Sequence, residues 1–208
     1  MWSRIAAEGS WQGEIWNRKK NGEIYPEWQS ISTVKNANGE VTNYVSIFLD
    51  ITQRKEAEAY IQHMANYDAL TGLANRNLLN DRFSQAILHA NRNGLKVAVL
   101  FIDLDGFKDV NDSLGHESGD DLLKIVAARI VGCVRDEDTV ARQGGDEFIV
   151  LLSELEESEN VSVTAQKILA CISQPICLGD TELFVSASIG ISVYPDDGDE
   201  NRIFKNAD

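Results

Sequence analysis

What the 208-residue sequence has little of already narrows its function. Only three cysteines (Cys133, Cys171 and Cys177) and three histidines (His63, His89 and His116) occur. Neither set has the clustered spacing of a zinc site. An odd number of cysteines, with no signal peptide at Met1, leads us to expect reduced thiols in the cytoplasm. The cysteines lie among apolar neighbours, so core packing is their expected role. No apolar run is long enough to span a bilayer. Basic residues are scarce too: 19 Lys and Arg stand against 33 Asp and Glu, a formal net charge of −14. Such a chain lacks the basic face that a nucleic-acid polymer needs. If it takes a nucleoside triphosphate, a metal must mediate, because acid repels phosphate. At 43% hydrophobic and 25% charged, what remains is an ordinary globular composition. The length fits one large domain, or one domain plus a fragment.

The stretch that organises the chain is Ala141-Arg142-Gln143-Gly144-Gly145-Asp146-Glu147-Phe148-Ile149-Val150-Leu151-Leu152. It reads as strand, tight turn, strand. Paired glycines permit positive φ and remove both Cβ atoms, so a ligand can lie against bare backbone. Asp146 and Glu147 put carboxylates there, where oxygen ligands can hold a divalent metal. The same residues also suit an ordinary Gly-Gly hairpin with solvated acids.

Residues 11–49 read as three strands, with hairpin signals at Lys20-Asn21-Gly22 and Asn38-Gly39. Pro26 suggests an edge or a bulge in the second strand. Trp11, Trp16, Trp28 and Phe48 can supply an apolar face. From Gln53 to Met64 the chain is rich in helix formers, with Asp50 or Thr52 as cap and Gln53 placed for a capping box. Ala57, Tyr60 or Ile61, and Met64 make a narrow apolar stripe, as in a dimeric coiled coil. A solvated connector is the plainer reading.

Further on, helices are expected over 78–91, 118–134 and 161–172, and strands over 97–102 and 183–194. With the central hairpin this gives an α+β chain of order βαββαβ, the ferredoxin-like plan. In that plan the first strand lies beside the third and antiparallel to it. The acids that end the first strand, Asp103 and Asp105, are thereby brought to Asp146 and Glu147. Carboxylates so gathered repel unless cations or protons neutralise them. Oxygen-ligated Mg²⁺ or Mn²⁺ with a nucleotide phosphate is the natural reading. An EF-hand at Asp103 fails, because Phe107 replaces a ligand and Leu114 stands where a bidentate Glu belongs. The acidic run 196–200 reads as a solvated turn.

Two resemblances follow. Trp11-Gln12-Gly13-Glu14, Arg18-Lys19-Lys20-Asn21-Gly22-Glu23 and Asp50-Ile51-Thr52 resemble the C-terminal half of a PAS sensor domain. That implies a chain beginning mid-domain, with 1–52 the PAS part and 53–65 a linker helix. Residues 66–208, about two-thirds of the chain, are similar to GGDEF-type diguanylate cyclase domains. The resemblance rests on Tyr67-Asp68-Ala69-Leu70-Thr71-Gly72-Leu73-Ala74-Asn75-Arg76, on 101–108, on Asn111-Asp112-Ser113-Leu114-Gly115-His116, on Gly119-Asp120, on 141–148, and on Ser188-Ile189-Gly190-Ile191-Ser192 with Tyr194-Pro195.

This second resemblance implies a nucleotide-cyclase-like fold and a cytoplasmic homodimer that joins two GTP into cyclic di-GMP and pyrophosphate. By resemblance, Asp103, the Leu104 carbonyl, Asp146 and Glu147 hold Mg²⁺ or Mn²⁺. Asp146 is also the proton acceptor, and Lys108 stabilises phosphate charge. Asn111 and Asp120 read guanine, His116 lies near the nucleotide, and Gly144 and Gly145 let it approach. Arg135 and Asp138 match the family's RxxD site for inhibition by product. In the family a helix with a phosphate-contacting lysine, then a closing strand, follow the position where this sequence stops, which implies a longer parent protein. A module that binds cyclic di-GMP or GTP without synthesis is the alternative.

Overall fold

The structure is a computed structural model and describes all residues except 157, 158 and 180. The chain divides into two compact units, Met1–His63 and Met64–Asp208. No helix among the described residues is long and apolar enough to cross a membrane.

The first unit holds α1 (Trp2–Glu8) and an antiparallel sheet ordered β1 (Ser10–Arg18), β2 (Ile24–Lys35), β3 (Val41–Asp50). Gly22 and Gly39 take φ of 92° and 83° in the two hairpins, conformations that cost glycine little. Ile5 of α1 is buried. Pro26 departs from expectation: β2 is the central strand. Its ladder with β3 starts at Glu27, so on that side no bond is lost at Pro26, and the bulge falls at Val34/Lys35. The four aromatics do not share a face either. The register sets Trp16 and Trp28 on one side and Trp11 and Phe48 on the other. α2 (Thr52–Asn66) begins where Asp50 Oδ1 accepts the Thr52 N–H at 2.9 Å, and it has no buried residue.

The second unit is built on a four-stranded antiparallel sheet of order β5-β6-β4-β9. Its elements are α3 (Arg76–Asn93), β4 (Lys96–Asp105), α4 (Phe107–Leu114), α5 (His116–Val131), β5 (Thr139–Gly144), β6 (Glu147–Leu155), α6 (Glu159–Ile172), the hairpin β7 (Ile176–Leu178) and β8 (Thr181–Leu183), β9 (Ser186–Tyr194) and α7 (Ile203–Ala207). Strand alternation splits the core in two. Ala98, Leu100, Ile102 and Leu104 point toward Leu122, Val126 and Ile130 of α5 and Ile168 of α6. Val97 and Val99 point toward Leu79, Phe83 and Ile87 of α3. Those α3 residues recur every fourth position, the spacing that keeps them on one helix face. Asn75 caps α3, its Oδ1 accepting the N–H groups of Asn77 and Leu78.

The expected βαββαβ order is present, with β6 beside β4 and antiparallel to it. Three details differ. α5 ends at Val131, not Val134, because the chain turns at Gly132 and Cys133 N–H returns to Ile130 O at 2.9 Å. The strand expected over 183–194 is broken at 184–185: β8 pairs with β7, whereas β9 pairs with β4. α4 is an additional helix, interposed between the first strand and α5.

Candidate functional site

The site begins at the register of β4 on β6, where Asp103 stands directly opposite Glu147. Side chains opposite one another in a ladder share a face. The connection before Glu147 turns through Gly144 (φ 149°) and Gly145 (φ 55°), and a Cβ added at either would meet nothing within 4 Å. Backbone is therefore laid bare beside the acids. Burial pushes the Asp103 carboxyl up from its ordinary value, and the charges of Asp146, Asp105 and Asp208 add to the rise. Asp103 and Asp146 thus bear on each other as like charges. Asp105 is occupied otherwise, accepting from Ser186 Oγ at 2.6 Å and Ser188 Oγ at 3.0 Å on β9.

Among the described residues, no three His, Cys, Asp or Glu side chains stand together as a ready cage for a metal. The donors fit a hard cation nonetheless. Mg²⁺ is usually held by one or two carboxylates, with water and substrate phosphate completing the shell. Two repelling carboxylates at a backbone turn are such a partial set.

The turn is tethered. Arg142 donates from Nε and Nη2 to the Gly145 carbonyl at 3.0 and 2.7 Å. Its Nη1 reaches both oxygens of Asp68 at 3.0 and 3.2 Å. Asp68 also accepts from the Thr71 backbone and hydroxyl. Burial alone would raise the Asp68 carboxyl; Thr71 and the Arg142 guanidinium outweigh it and hold it below the usual value. Ala74 bonds to β5 on both sides, accepting from Arg142 N–H and donating to Val140 O. Asn75 and Asn77 donate to the Ala65 carbonyl at the end of α2. A continuous chain of polar contacts therefore runs from α2 to the Gly-Gly turn.

Lys108 and Asn111 lie on α4, which starts after Gly106 at φ 72°. Lys108 is exposed in the first turn. Asn111 lies against Gly119 of α5, where an added Cβ would come within 2.0 Å of Asn111 Oδ1. Asp120 follows Gly119 and is exposed, so the α4–α5 contact brings the two expected guanine readers to one place. His116 is the first residue of α5 and is exposed.

Arg135 and Asp138 lie between α5 and β5 and line a cavity of about 270 Å³ together with Tyr67, Arg82 and Val140. Arg135 is exposed, its Nη1 3.8 Å from Glu137. Asp138 is half-buried and already employed, accepting the N–H groups of Arg135 at 3.0 Å and Ser153 at 3.3 Å. Burial pushes its carboxyl up against those bonds. A cavity of about 420 Å³ beside α3, lined by Arg82, His89, Asp136 and Glu154, includes none of the expected catalytic residues.

Sequence reasoning assigned no role to Asp68, Arg142 or Gly119. All three stand inside the quoted motif stretches; Asp68 and Arg142 are 74 residues apart and only the fold joins them, whereas Gly119 meets Asn111 across the turn between α4 and α5.

Residues 65–208 match the family model described as diguanylate cyclase, GGDEF domain. The chain is 39% identical over 206 residues, 99% of its length, to the cyclic di-GMP phosphodiesterase NbdA of Pseudomonas aeruginosa. It is 48% identical over 158 residues, 76% of its length, to the bifunctional diguanylate cyclase/cyclic di-GMP phosphodiesterase MucR of the same organism. It spans 24% of the first relative and 23% of the second, about a quarter of each. The solved GGDEF domain of TpbB from Pseudomonas aeruginosa superposes with a TM-score of 0.65 at 42% identity, covering 68% of this chain and 83% of that one.

Proposed function

The chain belongs to the GGDEF family of diguanylate cyclase domains, and from that membership we propose that it condenses two GTP into cyclic di-GMP with release of pyrophosphate. The observation that carries this reading is the pairing of Asp103 with Glu147 beside the open Gly144-Gly145-Asp146 turn. A site that holds repelling carboxylates at exposed backbone suits an Mg²⁺- or Mn²⁺-bound triphosphate.

In this reading Asp103, the Leu104 carbonyl, Asp146 and Glu147 hold the metal, which when bound neutralises phosphate charge. Gly144 and Gly145 admit the phosphates close to the chain. Lys108 adds a cation at the phosphates as a point charge. Asn111 and Asp120 present an amide and a carboxylate to the guanine edge, with His116 nearby. Asp146 accepts the proton from the attacking ribose 3′ hydroxyl, which forms a bond to the α-phosphorus of the other GTP as pyrophosphate leaves. One GTP per chain requires two chains to meet, so the acting form is a homodimer. The exposed stripe of Tyr60, Ile61 and Met64 on α2 supports such pairing. Arg135, with Asp138 shaping its loop, forms an inhibitory site for product. Residues 1–52 act as part of a PAS sensor, and the whole works in the cytoplasm.

The test is GTP turnover with Mg²⁺, with the product resolved by chromatography. Cyclic di-GMP is expected from the protein and none from Asp146→Ala, whose melting temperature stays close to the parent's. Cyclisation by Asp146→Ala at the parent rate would overturn the mechanism. The similarity to NbdA favours a second reading, in which the domain binds GTP or cyclic di-GMP inside a longer phosphodiesterase. Tight cyclic di-GMP binding with no turnover in the parent would select it.

A further inference from the structure

Two of the three thiols meet. Cys133 follows the end of α5, is buried, and points its Sγ at the Lys167 carbonyl of α6, 3.8 Å away. Cys171 lies one helical turn after Lys167. A helical side chain leans toward the N-terminus of its helix, so the Cys171 thiol leans back over the same turn. The Cys171 thiol is close enough to act on the Cys133 thiol, whose proton affinity it helps to raise. The surroundings are firmly held. Lys167 Nζ donates to the Cys133 carbonyl at 2.9 Å, and Arg129 Nη1 donates to the carbonyls of Cys171 and Ile172 at 3.1 and 2.9 Å. Both cysteines are free thiols, and Cys171 is the half-buried, solvent-reaching one.

We propose that Cys133 and Cys171 are a modification site, closing to an internal disulfide on reaction with a low-molecular-weight disulfide. The Cys171 thiolate attacks one sulfur of the small disulfide, forming a mixed disulfide and releasing one small thiolate. Cys133 then gives up its proton and attacks the Cys171 sulfur, forming the Cys133–Cys171 bond and expelling the second small thiolate. The two protein thiols lose two electrons and two protons, and the small disulfide gains them as two thiols. Burial first, then the neighbouring Cys171 thiol, pushes the Cys133 thiol up to about 11. Exposure therefore makes Cys171 the entry point and Cys133 the resolving partner. The closed bond ties the α5–β5 connection, which carries Arg135 and Asp138, to α6.

A small neutral oxidant suits the test, since a net charge of −14 repels an anionic one. The folded protein is incubated with 2-hydroxyethyl disulfide and its intact mass and peptide map are recorded. The expected mass loss is two hydrogens, with the Cys133 and Cys171 peptides joined and the melting temperature raised. Cys133→Ser should stop at a mixed disulfide on Cys171, and Cys171→Ser should leave Cys133 unmodified. Adducts confined to exposed Cys177, a bridge that includes Cys177, or a Cys133–Cys171 bridge that forms only in urea would each overturn the proposal.

Discussion

Asp103 shows what one residue contributes at a cost to the fold. Its carboxyl is held above the ordinary 3.8 by burial and by the charges of Asp146, Asp105 and Asp208. A carboxyl raised in the folded state binds its proton more readily folded than unfolded. The folded chain therefore carries a charge penalty at neutral pH, relieved as pH falls through the raised value. Asp103→Asn should melt higher than the parent at pH 7, with the gap narrowing in acid, and should lose GTP turnover. Parallel melts at both pH values and a turnover assay check this; a lower melting temperature at pH 7 would contradict the assigned repulsion. Asp68 has the opposite sign. Its carboxyl lies below 3.8, so its contribution to stability is present above that pH and is lost as pH falls through the depressed folded value. Arg142→Ala leaves Asp68 without its cation and Gly145 without two donors. We expect it to lower stability by about 1–3 kcal/mol in urea unfolding. Turnover should fall as well, because the turn loses its tether; full turnover would remove the tethering role.

Among the elements, the α4–α5 pair decides where Asn111 lies. The Asn111 side chain lies where a Cβ at position 119 would stand, so only glycine there leaves it in place. Gly119→Ala should displace Asn111 and raise the KM for GTP several-fold, with a smaller change in kcat. A KM equal to the parent's would separate Asn111 from substrate recognition. α4 also marks where sequence reading runs short. Its eight residues carry apolar groups at helical spacing, Phe107, Val110 and Leu114, but they make barely two turns, none is fully buried, and Gly106 and Gly115 close the run at both ends. β4 and β6 are the reverse case: both are continuous apolar runs buried on two faces, and both were legible as strands. The end of α5 was misread because Cys133 and Val134 continue its apolar pattern, whereas the chain turns at Gly132. The break before β9 was invisible for a similar reason. Phe184 and Val185 look like strand, but β8 and β9 pair with different partners.

For the molecule as a whole, the proposed feedback by product rests on one side chain. Arg135 is exposed, whereas Asp138 spends its oxygens on the backbone of Arg135 and Ser153. Product inhibition should therefore depend chiefly on the Arg135 side chain. Arg135→Ala should raise the cyclic di-GMP concentration needed for half-inhibition at least tenfold, with the uninhibited rate kept, as measured from initial rates at graded product. Unchanged inhibition would place the feedback elsewhere.

The amino-acid sequence by itself determined the strand and helix periods of the second unit, the order βαββαβ, and the glycines and acids of the central turn. These are local properties, set by side-chain alternation and by which residues tolerate positive φ. Tertiary structure decided the rest. It fixed the register that sets Asp103 directly opposite Glu147, where the strand order had implied only their approach; it also joined Asp68 to Gly145 through Arg142, pressed Gly119 on Asn111, and brought Cys133 to Cys171. In the first unit, strand alternation itself separates Trp11 from Trp16, and the register adds Phe48 to the first and Trp28 to the second. Asp103 and Glu147, Asp68 and Arg142, and Cys133 and Cys171 are far apart in the chain. Strand register and helix packing fix those distances, and even for near pairs such as Asn111 and Gly119 it is the angle between two helices that sets the contact.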